Sequence, residues 1–282
     1  MKTILVPTDF SEQAKNATKL AAEIAQKANA KVILVNVIEA ARNFSFNTMG
    51  EVTEPVGEEA FFINKLIEIQ KQQLQRAATD EALNGLVVDT IIEMGSPYQG
   101  ISNVIAEHEA DLTIMGTKGA SGLDEVLIGS NTEKVVRYAK CPVITVKNEV
   151  SLSQIKNIVF ATNLTGDQSE IVVQIKMMAE MTGGQIHLVK VNTPNHFYTE
   201  RQLEDEFSKF IKKHDLSSAE THIYCEATEE DGILYFAEDL GDSMIVMGTH
   251  GRSGILHLLS GSIAEDLVNH AQVPVMTLSS KH

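Results

Sequence analysis

The sequence predicts an α/β protein made of two tandem domains, each with a doubly wound parallel sheet. A glycine motif, G-x2-G-x9-G-[ST], begins at Gly116 and again at Gly248. In both halves, short β-rich runs alternate with stretches of helical periodicity, a pattern typical of parallel sheets with crossover helices. Because the motif and the alternation occur twice in the same order, we interpret the chain as one domain repeated.

The start of each half repeats as well. Residues 156–165 are similar to residues 2–11 and lie 154 positions later, whereas the two glycine motifs are 132 positions apart. The second half is therefore 22 residues shorter between these landmarks, and we assign the difference to a surface loop after Val37. The predicted domains, 1–148 and 153–282, are separated by a short polar stretch.

Each element follows from a local pattern. We assign strands to apolar, β-branched runs and helices to stretches whose apolar residues recur every three or four positions. Ser11 caps the first helix, and Pro97 opens another. In the first half the predicted strands are 3–8, 31–38, 87–93, 111–115 and 142–147, and the helices are 11–28, 58–83, 97–105 and 131–138. In the second half the strands are 158–162, 185–191, 221–225, 243–247 and 274–278, and the helices are 169–182, 200–214, 232–240 and 263–270.

Composition and charge limit the classes of function. With 282 residues and 43% hydrophobic side chains, the chain can form a core in each domain. The net charge of −15 and the lack of a Lys/Arg cluster argue against nucleic acid as a partner. We find no leader-like segment and no apolar run long enough to span a bilayer, so we expect a cytoplasmic protein with no membrane partner. Cys141 and Cys225 lack C-x-x-C spacing, and we expect two buried, reduced thiols.

The glycine motif has two interpretations. It follows a strand and precedes a helix, where backbone N–H groups can converge on a phosphate, although neither copy is a Walker A loop or a dinucleotide fingerprint. Alternatively, the glycines serve only turns, and Ser130 and Glu133 form a capping box at the helix start. Capping does not explain why a glycine precedes the serine in both copies, so we favour phosphate binding.

The complete pattern resembles the universal stress protein family in its tandem form. The resemblance rests on VPTDFS at 6–11, VIE at 37–39, the doubled glycine motif, and the closing runs CPVITV at 141–146 and VPVMTL at 273–278. It implies five parallel strands per domain in the order 3-2-1-4-5, in an adenine nucleotide alpha hydrolase-like fold, with ligands bound where the strand order reverses. It also implies that the closing strands pair within one chain, as a pseudo-dimer of domains that can itself form a homodimer.

The resemblance also assigns roles to individual residues. It implies that Asp9 binds the ribose, that the backbone of Val37 contacts adenine, and that the glycine motif binds the phosphates of ATP, with or without Mg. The first-domain residues implied are Pro7, Thr8, Asp9, Val37, Met115, Gly116, Lys118, Gly119, Gly129, Ser130, Asn131 and Thr132. The second-domain residues implied are Asn163, Val191, Gly248, His250, Gly251, Gly261 and Ser262. An alternative role for Asp9 is purely local, beside Ser11 at the start of the first helix.

The second half departs from the pattern. Asn163 replaces the aspartate, Ala161 replaces Pro7, and Ala227 stands where the first half has Gly95. An amide can still bond a ribose hydroxyl, but it lacks the charge that makes such a bond strong. We therefore expect the second site to bind ATP more weakly, to take a different nucleotide, or to take none.

No catalytic centre is apparent from the sequence. Lys118 and His250 occupy equivalent loop positions without a partner base, and the nine histidines show no metal-ligand spacing. Three hypotheses follow: an ATP-binding stress-response or signalling protein that acts through protein contacts, a slow ATPase or phosphotransferase, and a nucleotide-free interaction scaffold. The doubled glycine motif favours the first.

Overall fold

The structure is a computed structural model that describes residues 1–39, 58–117, 129–249 and 261–279, without the side chains of 58–60 and 261–262. The first half contains β1 (Thr3–Pro7), α1 (Glu12–Ala28), β2 (Lys31–Ile38), α2 (Glu58–Ala77), β3 (Val88–Met94), α3 (Pro97–Glu107), β4 (Leu112–Gly116), α4 (Ser130–Tyr138) and β5 (Val143–Val146). The second half contains β6 (Asn157–Ala161), α5 (Ser169–Thr182), β7 (Gln185–Asn192), α6 (Glu200–His214), β8 (Glu220–Cys225), α7 (Glu229–Leu240), β9 (Ser243–Thr249), α8 (Gly261–His270) and β10 (Val275–Ser279).

The ten strands form one continuous sheet in the order β3-β2-β1-β4-β5-β10-β9-β6-β7-β8. Within each half the order is 3-2-1-4-5 and all pairs are parallel, which confirms the predicted fold class. Two apolar cores lie on opposite faces of the sheet, beneath the helices. After β3 the chain crosses to the other side of β1 and adds β4 there, so the direction in which strands are added to the sheet reverses between β1 and β4. A crevice opens at the carboxyl ends of these two strands.

The two halves are joined through their closing strands. β5 and β10 pair antiparallel, and the hydroxyl of Thr145 donates to the carbonyl oxygen of Val275 at 3.3 Å. Beside this seam, Arg137 on α4 forms an ion pair with Glu265 on α8 at 3.3 Å. This is the pairing within one chain that the resemblance implied, and it covers the sheet edge that each half would otherwise expose.

Two local predictions were wrong. The helix predicted over 58–83 ends at Ala77, and a carboxylate oxygen of Asp80 accepts from the amide of Ala82 to start a separate 3₁₀ turn. A short polar side chain that bonds nearby backbone competes with helix continuation in this way. Cys141 is buried as expected, but Cys225 is exposed because it ends the edge strand β8.

Other predictions meet the limits of the described residues. The loop predicted after Val37 falls mainly on 40–57, which lie outside them. Among the helices that the structure does describe, none is long and apolar enough to cross a bilayer.

Candidate functional site

A cavity of about 380 Å³ lies at the carboxyl ends of the first-half strands, and we call it the first-domain cavity. Its walls come from the ends of β1, β2 and β4 and from the starts of α3 and α4. The lining residues are Pro7, Thr8, Asp9, Ala14, Val35, Asn36, Val37, Glu39, Pro97, Ile101, Met115, Gly116, Gly129, Ser130, Asn131 and Thr132. Ten of these are residues that the sequence assigned to the first site, while Lys118 and Gly119 lie outside the described residues.

The turn after β1 presents Asp9 at the rim of this cavity. The hydroxyl of Thr8 accepts from the amide of Phe10 at 3.1 Å, and a carboxylate oxygen of Asp9 accepts from the amide of Ser11 at 3.0 Å. Phe10 adopts a left-handed φ of 66°, and the Ser11 hydroxyl accepts from the amide of Ala14 to cap α1. The local role considered for Asp9 is therefore real, but the exposed carboxylate also faces the cavity, so the two roles do not compete.

The start of α4 differs from the capping-box interpretation. Gly129 is the residue before the helix, no side chain caps it among the described residues, and Ser130 already belongs to the helix. A capping box would need Ser130 as the residue before the helix. Gly129 takes that place in the extended cap conformation, so the helix begins one residue earlier. The Thr132 hydroxyl donates to the carbonyl oxygen of Gly116 at 3.1 Å and ties the helix to β4. The first amides of α4 are thus left to the cavity, with the positive end of the helix dipole behind them.

Gly116, the first glycine of the motif, is required by packing within the domain. A Cβ atom there would lie 2.7 Å from Cβ of Gln13 and 2.9 Å from its carbonyl carbon. The start of α1 fills the space beside this glycine, so packing alone accounts for it, and Gly116 also lines the first-domain cavity. At Gly248 the nearest described atom that a Cβ would meet is Cδ1 of Ile171, at 3.8 Å.

The equivalent cavity in the second half, here the second-domain cavity, measures only about 20 Å³. It is lined by Ala161, Thr162, Asn163, Val189, Lys190, Val191, Glu229 and Ile233. Asn163 and Val191, which the resemblance assigned to the second site, both line this cavity. His250 and Gly251 lie outside the described residues, as does the side chain of Ser262; Gly261 is the first residue of α8, and Gly248 is the last but one of β9.

In the second domain, Gln168 forms hydrogen bonds with the side chains of Thr162 and Asn163 in the turn after β6. It stands at the position of Ala14, and its amide nitrogen donates to the side-chain oxygen of Asn163 at 2.8 Å. The same oxygen accepts from the amide of Thr165 at 3.0 Å, and the hydroxyl of Thr162 donates to the oxygen of Gln168 at 2.7 Å. The side-chain oxygen of Asn163, which is buried, is therefore already used twice within the domain.

Two ionisable side chains fill the remaining space. Lys190 takes the position of Asn36 and is 3% exposed, with its ammonium 5.4 Å from the ring centroid of Tyr198. Glu229 takes the position of Pro97, and its carboxylate lies 3.9 Å from His196. Burial lowers the pKa of Lys190 against the raising effect of Glu229 and Glu206. Burial also raises the pKa of Glu229, opposed by Lys190 and His196.

Comparison with known proteins identifies the family. The model of the universal stress protein family matches residues 1–147 and again residues 154–279. The chain belongs to the universal stress protein family. A universal stress protein of Methanocaldococcus jannaschii is 32% identical to it over 162 residues, which are 53% of this chain and 97% of the relative. A putative universal stress protein of Staphylococcus aureus is 31% identical over 150 residues, which are 52% of this chain and 85% of the relative.

Solved universal stress proteins share the tandem fold. The crystal structure of one from Archaeoglobus fulgidus superimposes with a TM-score of 0.75 at 21% identity, covering 98% of both chains. A putative universal stress protein from Pseudomonas aeruginosa gives a TM-score of 0.66 at 19% identity, covering 99% of this chain and 93% of the other. At such identities the likeness concerns the fold alone.

Sequence reasoning did not assign two polar residues of the first-domain cavity in this universal stress protein, Asn36 and Glu39, of which Asn36 is buried. Asn36 is 6% exposed, and its amide nitrogen donates to the carbonyl oxygen of Thr8 at 2.8 Å. Its side-chain oxygen is buried with no hydrogen-bond partner among the described residues. A buried acceptor in this state costs free energy unless a ligand or water satisfies it. An Asn in the middle of a β-rich run was the available signal.

Proposed function

We propose that this universal stress protein binds one ATP molecule in the first-domain cavity, with or without Mg, and acts in stress response or signalling through protein contacts that depend on the bound nucleotide. The observation that supports this is the convergence of ten predicted residues on one cavity. Pocket volumes of a few hundred Å³ are typical of small-molecule sites.

Each part of the nucleotide has a matching group. The carboxylate of Asp9 accepts hydrogen bonds from ribose hydroxyls, and charge strengthens these bonds. The uncapped amides at the start of α4 face the phosphates, which the helix dipole also favours. The backbone of Val37 and the buried oxygen of Asn36 lie on the wall assigned to the base. The acidic surface makes local amides, rather than a positive field, the source of phosphate affinity.

The second domain has a different role in this proposal. The space that its described residues enclose is too small for a nucleotide, and the side chains of Gln168, Lys190 and Glu229 stand at the positions of Ala14, Asn36 and Pro97. We assign it the part of a nucleotide-free scaffold that pairs with the first domain through β10.

The stoichiometry of binding tests the proposal. Isothermal titration of the full chain with ATP should give one site, and mass spectrometry of small molecules released from freshly purified protein should detect an adenine nucleotide. Absence of ATP binding would overturn the proposal, and two equal sites would overturn the assignment of the second domain.

A matched pair of variants locates the site. Ala14→Gln brings into the first domain the side chain that the second domain uses to fill its turn, so it should weaken ATP binding by at least about tenfold. Gln168→Ala, the reciprocal change, should leave the affinity and the single site unchanged. Equal effects of the two changes would contradict the first-domain cavity as the site.

A further inference from the structure

A second group of polar side chains lies at the other end of the sheet, near the amino ends of β7 and β8. His187 is the third residue of β7, while Glu220 and His222 are the first and third residues of β8. His187 pairs with Glu220 in the strand register, and His222 stands two residues further along β8. Because alternate residues of a strand share a face, all three side chains lie on the face covered by α7, where the rings of both histidines contact Phe236.

The distances within this cluster fit a metal ion. Nδ1 of His187 lies 3.0 Å from Nε2 of His222 and 3.6 Å from a carboxylate oxygen of Glu220. The same oxygen lies 3.8 Å from Nε2 of His222. A point equidistant from these three atoms is about 2.0 Å from each, and zinc–imidazole and zinc–carboxylate bonds are about 2.0–2.2 Å long.

The ligating nitrogen of His187 is fixed by a neighbour. The amide nitrogen of Asn157 donates to the carbonyl oxygen of Gly241 at 2.9 Å, which turns the Asn157 oxygen toward Nε2 of His187 at 3.1 Å. Since that oxygen can only accept, Nε2 carries the proton and Nδ1 presents a lone pair to the cluster. Metal-binding histidines are oriented by partners of this kind.

The surroundings suit a site that exchanges ions with solvent. His187 is buried and His222 half-buried, whereas Glu220 is exposed, which leaves room for a water molecule as a fourth ligand. Sequence spacing hides the cluster because its members come from two strands separated by the whole of α6.

We propose that His187, Glu220 and His222 bind one divalent transition-metal ion of the zinc type, at a site separate from the first-domain cavity. Two imidazoles and one carboxylate suit zinc and its neighbours rather than magnesium or calcium, which prefer oxygen ligands. The ion would cross-link β7 to the edge strand β8 and so stabilise the outer part of the second domain.

Metal titration of the full chain tests the proposal without nucleotide. After treatment with a chelator, calorimetric titration with Zn²⁺ should give a site that Mg²⁺ does not occupy, and Co²⁺ should give visible absorption typical of low coordination number. Glu220→Gln and His222→Gln should each weaken Zn²⁺ binding at this site by at least about a hundredfold, and Asn157→Ala by about 10- to 100-fold. His108→Gln, outside the cluster, should leave the affinity unchanged.

Unaltered Zn²⁺ affinity and Co²⁺ spectrum in both Glu220→Gln and His222→Gln would overturn the proposal, as would a wild-type chain that binds no Zn²⁺. The histidines would then be a hydrogen-bonded pair that packs against α7. Because Glu220 is exposed, its variant tests the proposal even if His222→Gln fails to fold. The readout needs no ATP, so failure here is distinguishable from failure of the proposed nucleotide site.

Discussion

Three side-chain differences between equivalent positions accompany the difference in the space that the described residues of each domain enclose. The first domain has Ala14, Asn36 and Pro97 where the second has Gln168, Lys190 and Glu229. Each replacement adds a longer polar side chain that finds a partner inside its own domain. The two copies thus share a fold but differ in the capacity of their cavities, because capacity depends on a few side chains and the fold does not.

Replacing the carboxylate of Asp9 should weaken nucleotide binding. A charge-assisted hydrogen bond is worth about 1 kcal/mol more than a neutral one, so Asp9→Asn should lower the ATP affinity of the full chain by about five- to tenfold. Calorimetric titration measures this directly. The amide keeps the oxygen that accepts from Ser11, so the turn should survive. Unchanged affinity would remove Asp9 from the ribose-binding role, and Asn163→Asp serves as the matched control in the second domain.

Glu229 should make stability depend on pH. Burial raises the pKa of Glu229 in the folded state, so the folded protein favours the protonated carboxyl. The resulting contribution to the free energy of unfolding is fully present below the unfolded-state pKa and is lost as pH rises through the folded-state pKa. Compared with Glu229→Gln, the wild type should therefore lose free energy of unfolding as pH rises from acid toward neutral. Urea denaturation at several pH values measures the difference. Glu238→Gln, on the exposed side of the same helix, should show no such trend; a parallel trend in both variants would contradict the burial argument.

At the scale of elements, a glycine can be required by its own domain or by a ligand, and sequence does not distinguish the two. Gly116→Ala places a Cβ atom against Gln13 and should destabilise the chain by about 1–3 kcal/mol. Gly248→Ala makes ordinary van der Waals contacts with the described residues and should change stability by no more than about 0.5 kcal/mol. Urea denaturation of both variants gives the comparison. Equal losses would show that the strand position, rather than the start of α1, sets the cost.

The order and type of the elements could be predicted because each depends on local periodicity and on turn residues. The strand 31–38 and the helices 169–182 and 200–214 were placed at their observed bounds. Helix starts were less predictable: Ser130 with Glu133 has the letters of a capping box, yet the chain starts α4 at the first residue of that run. Only backbone conformation at Gly129 decides between these starts, and sequence patterns do not fix it.

At the candidate site, too, features set by local sequence could be predicted and features set by tertiary contacts could not. The glycine motif could be proposed as a phosphate site from its spacing, whereas the residues of the turn after β1 were assigned through the resemblance to the family. Asn36 and the residues that fill the second-domain cavity could not be predicted, because their effect depends on which side chains meet across strands and helices. The cluster of His187, Glu220 and His222 is of this kind as well, since it exists only through the register between β7 and β8.

At the scale of the whole molecule, the seam between β5 and β10 turns two sheets into one. The strands are short and apolar, and each would be an uncovered edge if its domain stood alone. The ion pair between Arg137 and Glu265 bridges the helices beside the seam and favours this pairing, although its partly exposed geometry makes its energy small. The apolar strands, rather than this ion pair, should therefore hold the two domains together.

Separated domains should associate through this seam. A fragment of residues 1–148 exposes β5 and should form a homodimer, because pairing of two copies covers the edge as β10 does in the intact chain. Light scattering coupled to size exclusion should give twice the fragment mass. Mixed with a fragment of residues 154–282, it should form a one-to-one complex instead, since only that complex restores the native register opposite Val275 and the pair of Arg137 with Glu265. The 1–148 fragment would contradict this prediction if it stayed monomeric at high concentration and did not bind the 154–282 fragment. Covalent linkage, rather than strand pairing, would then keep the two sheets joined.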